Sequence, residues 1–225
     1  MIVKSFSRIG LYHEMRGIQN QDCVSEIDAP WGSAILLADG ATGCKQGGEG
    51  ARIACEAVKQ IIREEGSRFF TYPAEKMAYL LEEQILYCIE KTGAEEKMLR
   101  EYGSTLAFVL LEKGTGRCIC LNLGDSAVFS MNKDRIHMIL EPQKIGGGPC
   151  LTTSRNAWKS MRICETELPD DENICIASDG FLDAMQDERI FSSVMQENMS
   201  DVEAALKMKE PMDDCSFIEV KKKAA

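Results

Sequence analysis

The sequence predicts an α+β fold in which antiparallel sheets stack on each other and helices cover them. Two strongly helical stretches follow one another in the first half of the chain, and strand-like segments occur in runs on both sides of them. Strands that alternated with helices would instead indicate a parallel sheet. The 225 residues can bury one sizeable core, and no Pro/Ser-rich linker divides them. We therefore expect a single domain over residues 1–225.

The composition excludes several classes of partner. The net charge of −10 argues against a nucleic-acid or acidic membrane surface, which would require clustered Lys and Arg. The ten cysteines show no paired CxxC spacing, which is typical of reduced thiols in a cytosol. No apolar run reaches the roughly 18 residues of a membrane span. We expect a cytoplasmic monomer that binds neither nucleic acid nor membrane.

One apolar stretch places a carboxylate in a glycine-rich turn. Residues 34–38 contain no polar side chain, which predicts a strand buried on both faces. Asp39 follows directly, then a turn rich in glycine, and residues 51–64 show the apolar spacing of a helix. The unit is a strand, a carboxylate, a loop and a helix.

The same arrangement recurs at residues 174–180, where an apolar strand ends in Asp179-Gly180 before a predicted turn over residues 181–185. An unpaired carboxylate at a buried strand end costs several kcal/mol, and a divalent cation would compensate both. The alternative is that each Asp caps its turn, the commoner role of Asp-Gly at any single site. The repetition weakens that alternative.

A third carboxylate reaches the same end through a hairpin. Residues 1–7 form a predicted strand, and residues 8–22 are too irregular for a helix prediction. A strand over residues 23–27 then turns into the central strand, so the hairpin places Asp22 near Asp39. His13 and Arg16 lie just upstream, and the simpler interpretation of His13 is an exposed or hydrogen-bonded loop histidine.

The middle of the chain is predicted to form a second helix followed by an antiparallel meander. Residues 72–92 carry apolar side chains at helical spacing, with Pro73 near the start and Gly93 just after the end. Asp125 follows a strand and a glycine, and it is equally a turn residue or a metal ligand. The predicted strands of the meander are 104–112, 117–123, 127–131 and 135–140.

The last part of the chain returns to strands after a glycine-rich loop. Residues 141–153 contain three successive glycines that could cradle an anion, without the Lys-Ser/Thr of a P-loop. Asp213 and Asp214 open the last strand, and Lys221 to Lys223 read as a solvated tail. The remaining predictions here are strand-like sequence over 158–168 and one or two helices over 187–206.

The ordered motifs together resemble the metal-dependent protein phosphatase 2C family. They span nearly the whole chain in the family's order, although no single one is specific. The resemblance implies a four-layer α/β/β/α sandwich, two antiparallel sheets flanked by helices, with a metal centre at one end. The motifs are Asn20-Gln-Asp22, Asp39-Gly40, Gly103-Ser-Thr-Leu106, Gly124-Asp-Ser126, Ser178-Asp-Gly180 and Asp213-Asp214.

The resemblance also implies roles for individual residues. Asp39 is similar to the carboxylate that bridges two Mn²⁺ or Mg²⁺ ions, and Asp22 to the one that holds water at the second ion; these two are the catalytic candidates. Asp125 with Asp179 resembles a pair that can take a third, weaker ion. The implied metal ligands are Asp22, Asp39, Gly40 (through its carbonyl), Asp125, Asp179 and Asp213.

An all-oxygen ligand set suits hard cations rather than zinc. Two such ions roughly 3.5–4 Å apart lower the pKa of a bridging water and orient the phosphate, so no covalent protein nucleophile is required. The sequence has no Cys-x5-Arg phosphate loop. A cysteine-phosphatase mechanism is therefore not supported.

Three departures from the family pattern affect substrate binding. Gly17 stands where the family usually has a phosphate-binding arginine, so the candidates for the phosphate are Arg16 and His13. Gln21 replaces a usual glutamate. The mobile flap is reduced to about residues 143–149, which implies an open site.

Three functions follow from these observations. The first is a phosphatase acting on phosphoserine or phosphothreonine of a protein substrate, opposing a cognate kinase. The second is a catalytically weak or inactive phosphatase-like regulatory module, which the three departures favour. The third is hydrolysis of a small phosphoester. Retention of the clustered carboxylates favours an enzyme, since they repel one another without a cation.

Overall fold

The computed structural model describes residues 1–221. Six α-helices occur in this part of the chain, together with two 3-10 segments at Glu96–Tyr102 and Ala157–Ser160. The helices are α1 Leu11–Glu14, α2 Gly47–Phe69, α3 Ala74–Lys91, α4 Asp179–Ala184, α5 Glu188–Met195 and α6 Met199–Lys209. The strands are β1 Ile2–Arg8, β2 Asp22–Ala29, β3 Gly32–Asp39, β4 Leu106–Glu112, β5 Arg117–Leu123, β6 Ala127–Met131, β7 Ile136–Leu140, β8 Lys144–Ile145, β9 Gly148–Pro149, β10 Arg162–Glu167, β11 Asn173–Ala177 and β12 Cys215–Lys221.

Two five-stranded antiparallel sheets form the middle of the molecule. One has the strand order β1-β12-β11-β6-β7 and the other the order β10-β5-β4-β3-β2. Helices α2 and α3 pack on the second sheet, and α4, α5 and α6 pack on the first. The predicted α+β fold of two antiparallel sheets flanked by helices is confirmed.

Strand β3 shows how the sequence produces the layers. Its side chains alternate between the two faces, as in any strand. Ile35 and Leu37 point into the core between the sheets, whereas Leu36 and Ala38 pack against the helices. Both faces are therefore buried, as the lack of polar residues predicts.

The long helices are amphipathic, which fixes them on their sheet. In α3 the side chains of Met77, Leu81, Ile85 and Ile89 recur every fourth residue and are all buried. A spacing of three or four residues keeps side chains on one helix face. Burial of this apolar face stabilises the outer layer.

Several local predictions differ from the structure. Residues 181–185 were expected to form a turn, but α4 begins at Asp179 and is too short for its helical period to be visible in the sequence. The stretch 8–22 contains the four-residue helix α1. The triple-glycine loop contains the hairpin β8–β9. Lys221 ends β12 and forms an ion pair with Glu197, and the rest of the predicted tail lies outside the described residues.

A helix that crosses a membrane is both long and apolar. None of the helices within residues 1–221 meets both conditions.

Candidate metal centre

The site lies at one end of the sandwich, where strands of both sheets end. Asp39 is the last residue of β3, two positions after Leu37, so it shares the face that looks into the space between the sheets. Asp22 lies directly opposite Asp39 in the β2–β3 register. The predicted hairpin therefore brings these two carboxylates together.

Two further carboxylates join Asp39, one from the turn that connects the two sheets and one from the end of a strand in the other sheet. One ligand oxygen each from Asp39, Asp125 and Asp179 lie within 4.8 Å of one another. Asp125 occupies the turn between β5 and β6, and Asp179 begins α4 directly after β11. Asp213, just before β12, lines the same cleft of about 300 Å³. Four separate chain segments thus contribute carboxylates to one cleft.

Two hydrogen bonds with Thr105 hold the backbone of Asp39 in place. Its amide N–H donates to Thr105 Oγ1 at 3.0 Å, and the amide of Thr105 donates back to the Asp39 carbonyl at 2.8 Å. At Gly40, a Cβ atom would lie 2.5 Å from the carbonyl carbon of Gly47. Only glycine fits there, so the sequence Asp-Gly is required for the start of α2 to approach the strand end.

The Asp213-Asp214 segment is equally closely packed. A Cβ on Gly180 would lie 2.2 Å from the carbonyl oxygen of Asp214, and one on Gly10 would lie 2.2 Å from the carbonyl carbon of Asp213. The glycines on either side therefore allow the approach that carries Asp213 into the cleft.

The carboxylates shift one another's proton affinity. Burial, followed by the charges of Asp22 and Asp179, raises the pKa of Asp39 well above its usual value. Burial, with a further contribution from the charge of Asp214, raises the pKa of Asp22 to about 7. Burial and the charge of Asp125 raise the pKa of Asp179 to about 6. The cluster is strained by like charge in a poorly solvated site.

A lysine lies against this cluster. Lys144 Nζ is 3.2 Å from Asp125 Oδ2 and 3.8 Å from Asp179 Oδ2. The hydrogen bond with Asp125 raises the pKa of Lys144, so its side chain stays protonated.

The donor set fits a hard divalent cation. Both carboxylate oxygens of Asp22 and the Oδ1 atom of Asp179 are buried without a hydrogen-bond partner among the described residues. Buried polar atoms are normally satisfied, so such orphaned oxygens indicate a missing partner. Oxygen ligands at this density are those that Mg²⁺ and Mn²⁺ prefer.

The two residues predicted to contact phosphate lie away from the cleft lining. His13 is 1% exposed, and its Nδ1 atom lies 2.9 Å from Asp214 Oδ2. Arg16 stacks on the ring of Tyr12 with its guanidinium carbon 3.6 Å from the ring centre. His13 is hydrogen-bonded, one of the simpler roles considered for it, but it is neither exposed nor in a loop. The phosphate role of both residues stays a prediction.

Asp214 has a different task from its neighbour Asp213. Its carboxylate accepts hydrogen bonds from the backbone amides of Gly10 at 2.7 Å and Gln21 at 2.6 Å, in addition to its contact with His13. Because these partners flank the segment leading into Asp22, Asp214 fastens that segment to the start of β12.

Sequence reasoning gave no role to Thr105, Lys144 or Asp214. Thr105 belongs to the Gly103-Ser-Thr-Leu106 motif, which was a usable signal. The Asp213-Asp214 pair was visible, but the sequence could not separate the roles of its two members. Lys144 had no local signal at all.

A sandwich of two antiparallel sheets, covered by helices and carrying a carboxylate cluster at one end, defines the class of phosphatase 2C-type hydrolases. The family model "Protein phosphatase 2C" matches residues 9–214. The chain belongs to the protein phosphatase 2C family, a family of metal-dependent phosphatases. A comparison with the curated proteins finds no match.

Solved structures agree with this fold. A bacterial serine phosphatase is similar with a TM-score of 0.77 at 15% identity, over 100% of both chains. Phosphatase Stp1 from Staphylococcus aureus has a TM-score of 0.70 at 15% identity, over 99% of this chain and 95% of that one. The catalytic domain of PstP, in complex with two manganese ions, has a TM-score of 0.68 at 18% identity, over 97% and 96%.

Proposed function

We propose that this chain is a Mn²⁺- or Mg²⁺-dependent phosphatase that removes phosphate from phosphoserine or phosphothreonine of a protein substrate. The observation that carries the proposal is the convergence of Asp39, Asp125 and Asp179 within 4.8 Å, beside the orphaned oxygens of Asp22. Such repulsion costs stability unless a cation relieves it.

The proposed role of each group follows from its position in the cleft. Asp39, which lies between Asp22 and Asp179, would be shared by two ions, with the Gly40 carbonyl beside it. Asp179 and Asp213 would complete one ion's ligands from the other sheet. Asp22, opposite Asp39, would orient water by accepting a hydrogen bond. When bound, two such ions supply an activated water and stabilise charge on the attacking and leaving oxygens.

The surroundings of the cleft support a protein substrate. The flap is only the short β8–β9 hairpin, and the side chain of Lys144 is 55% exposed, so the cleft stays open to a phosphorylated side chain on a large molecule. We propose a phosphoprotein substrate, a cognate Ser/Thr kinase acting on it, and a cytoplasmic monomer as the working form.

A second candidate is a phosphatase-like module with little or no turnover. It is favoured by the placement of the two predicted phosphate contacts, because His13 is buried against Asp214 and Arg16 stacks on Tyr12. Such a module would bind ions without hydrolysing phosphoesters.

Hydrolysis of p-nitrophenyl phosphate and of a phosphothreonine peptide tests the proposal. Each substrate is assayed with Mn²⁺, with chelator and with Asp39→Asn. The matched control is Asp134→Asn, which makes the same change in the exposed turn at the far end of β6. Turnover that requires Mn²⁺ and is lost only in Asp39→Asn supports the phosphatase. Ion binding without turnover favours the inactive module, and turnover of the small ester alone favours a small-molecule phosphatase.

A further inference from the structure

We propose that Lys144 is a built-in cation of the metal centre: its ammonium group neutralises the Asp125–Asp179 side of the cluster, so that the site takes two divalent ions and not a third. The inference rests on the proposed function, since it assumes that the carboxylates bind divalent ions. It concerns a residue of this chain for which the motifs gave no role.

The contacts of Lys144 are specific to one side of the cluster. Its Nζ atom forms ion pairs with Asp125 and Asp179, at 3.2 Å and 3.8 Å. The Asp125 side chain is 5% exposed, so water does little to stabilise its charge. A cation held there competes directly with any ion that would use the same two carboxylates.

Hydrogen bonds to the backbone place Lys144 beside the turn that carries Asp125. The amide of Gln143 donates to the Gly124 carbonyl at 2.8 Å, which places the residue before Lys144 against the residue before Asp125. The buried side-chain amide of Asn122 reinforces this, because its Nδ2 atom donates to the Ser126 carbonyl at 2.7 Å and approaches the Glu141 carbonyl at 3.3 Å. The turn and the base of the flap are therefore tied together.

The flap itself is a tight hairpin over the edge of the cleft. Lys144 pairs with Pro149 across the two short strands. Gly146 and Gly147 have φ angles of 64° and 94°, which suit glycine and allow the chain to reverse within two residues. Pro149 and Leu151 line the same cleft as Lys144. The lysine thus begins an ordered turn rather than lying in a loose loop.

The charges of the site balance with two ions. Asp22 and the four carboxylates of the cleft carry five negative charges when all are ionised. Two divalent ions neutralise four of them, and Lys144 neutralises the fifth. A third divalent ion would leave the site with excess positive charge, one unit if it displaced the ammonium group and two units if it did not, which is costly in a poorly solvated cleft.

Counting bound Mn²⁺ tests the inference without relying on activity. Isothermal titration calorimetry and electron paramagnetic resonance would be applied to the wild type, Lys144→Gln, Lys144→Arg and Lys133→Gln. Lys133 is an exposed lysine in the turn at the opposite end of β6, so its removal changes the total charge equally. We expect two ions in the wild type, in Lys144→Arg and in Lys133→Gln. We expect Lys144→Gln to bind a third ion about tenfold more tightly than the wild type does, the effect of about 1.4 kcal/mol from one charge.

Each other outcome contradicts the inference in a recognisable way. Two ions in both the wild type and Lys144→Gln would overturn it and leave the proposed function intact. A third ion that bound the wild type or Lys144→Arg as tightly as it binds Lys144→Gln would show that a cation at position 144 does not oppose its binding. If neither the wild type nor Lys144→Gln bound Mn²⁺, the proposed function would fail and this inference with it.

Discussion

The two Asp-Gly motifs look alike in the sequence but occupy different environments. Asp39 ends β3 inside the sandwich, and the charges of Asp22 and Asp179 add to its burial in raising its pKa. Asp179 begins α4 on the other sheet, its side chain is 30% exposed, and Lys144 lies 3.8 Å from it. One motif thus concentrates the repulsion in the site, whereas the other is relieved by a cation.

The difference indicates how this protein can carry a carboxylate cluster at all. Under the proposed function, divalent ions would relieve the repulsion at Asp39, which would couple folding to metal binding. Lys144 reduces the repulsion at Asp179 from within the chain. The same substitution made in each of the two motifs should therefore have unequal effects.

The largest expected difference is in catalysis. Asp39→Asn should lower kcat/KM by about 10³-fold or more, because it removes charge from the carboxylate proposed to be shared by both ions. Asp179→Asn should cost roughly tenfold less, since it is proposed to serve one ion. Mn²⁺-dependent turnover of a phosphothreonine peptide measures both. Equal losses would remove the distinction between the motifs.

The second largest expected effect is the dependence of the free energy of unfolding on pH, measured in chelator. The pKa of Asp22 is raised to about 7 in the folded protein, against about 3.9 when unfolded. A raised pKa means that the folded state binds the proton more tightly, so this contribution is complete below about pH 4 and is lost as the pH rises to about 7. The loss is at most about 4 kcal/mol.

Asparagine variants show how much of that loss of stability each carboxylate causes. Asp22→Asn should reduce the fall in the free energy of unfolding up to about pH 7. Asp179→Asn should reduce it only up to about pH 6, where the pKa of Asp179 lies. Urea unfolding at several pH values in chelator gives the free energies. If the free energy of unfolding of the wild type rose between about pH 4 and pH 7 in chelator, and that of Asp22→Asn rose equally, the result would contradict the raised pKa of Asp22.

Metal removal should have the next largest effect. Mn²⁺ at about 100 times its Kd stabilises the folded state by about 2.7 kcal/mol. For a chain of this length that corresponds to about 5–10 °C in Tm. Thermal unfolding with chelator and with added Mn²⁺ measures it, and Asp39→Asn should lose most of the response. An unchanged Tm in the wild type would count against the metal site.

The layers of the fold and one pair of site residues were predictable from the sequence. The layered fold was predictable because β3 lacks polar residues and α3 repeats apolar residues at helical spacing. The pairing of Asp22 with Asp39 was predictable because a hairpin fixes its own register. Helix α4 was missed because Asp179-Gly180 is a turn signal and six residues show no period.

The charge balance of the site was not predictable, because it depends on contacts between distant residues. Lys144 lies beside Asp125 because Gln143 and Asn122 form hydrogen bonds with the carbonyl of Gly124, in the turn that contains Asp125. Asp214 differs from Asp213 only because Gly10, His13 and Gln21, some 200 residues earlier, bind its carboxylate. Local pattern contains neither relation.

The smallest expected effect tests the cation that separates the two motifs. In chelator, Lys144→Gln should lower Tm by about 2–4 °C, because losing a partly exposed ion pair costs about 1 kcal/mol. Lys133→Gln should leave Tm nearly unchanged, and Lys144→Arg should retain the wild-type value. With saturating Mn²⁺ the deficit of Lys144→Gln should shrink, since an ion can then occupy the side that the lysine leaves. A deficit that is the same with and without Mn²⁺ would instead assign Lys144 to packing of the hairpin, because lost packing does not depend on which cation neutralises Asp125 and Asp179.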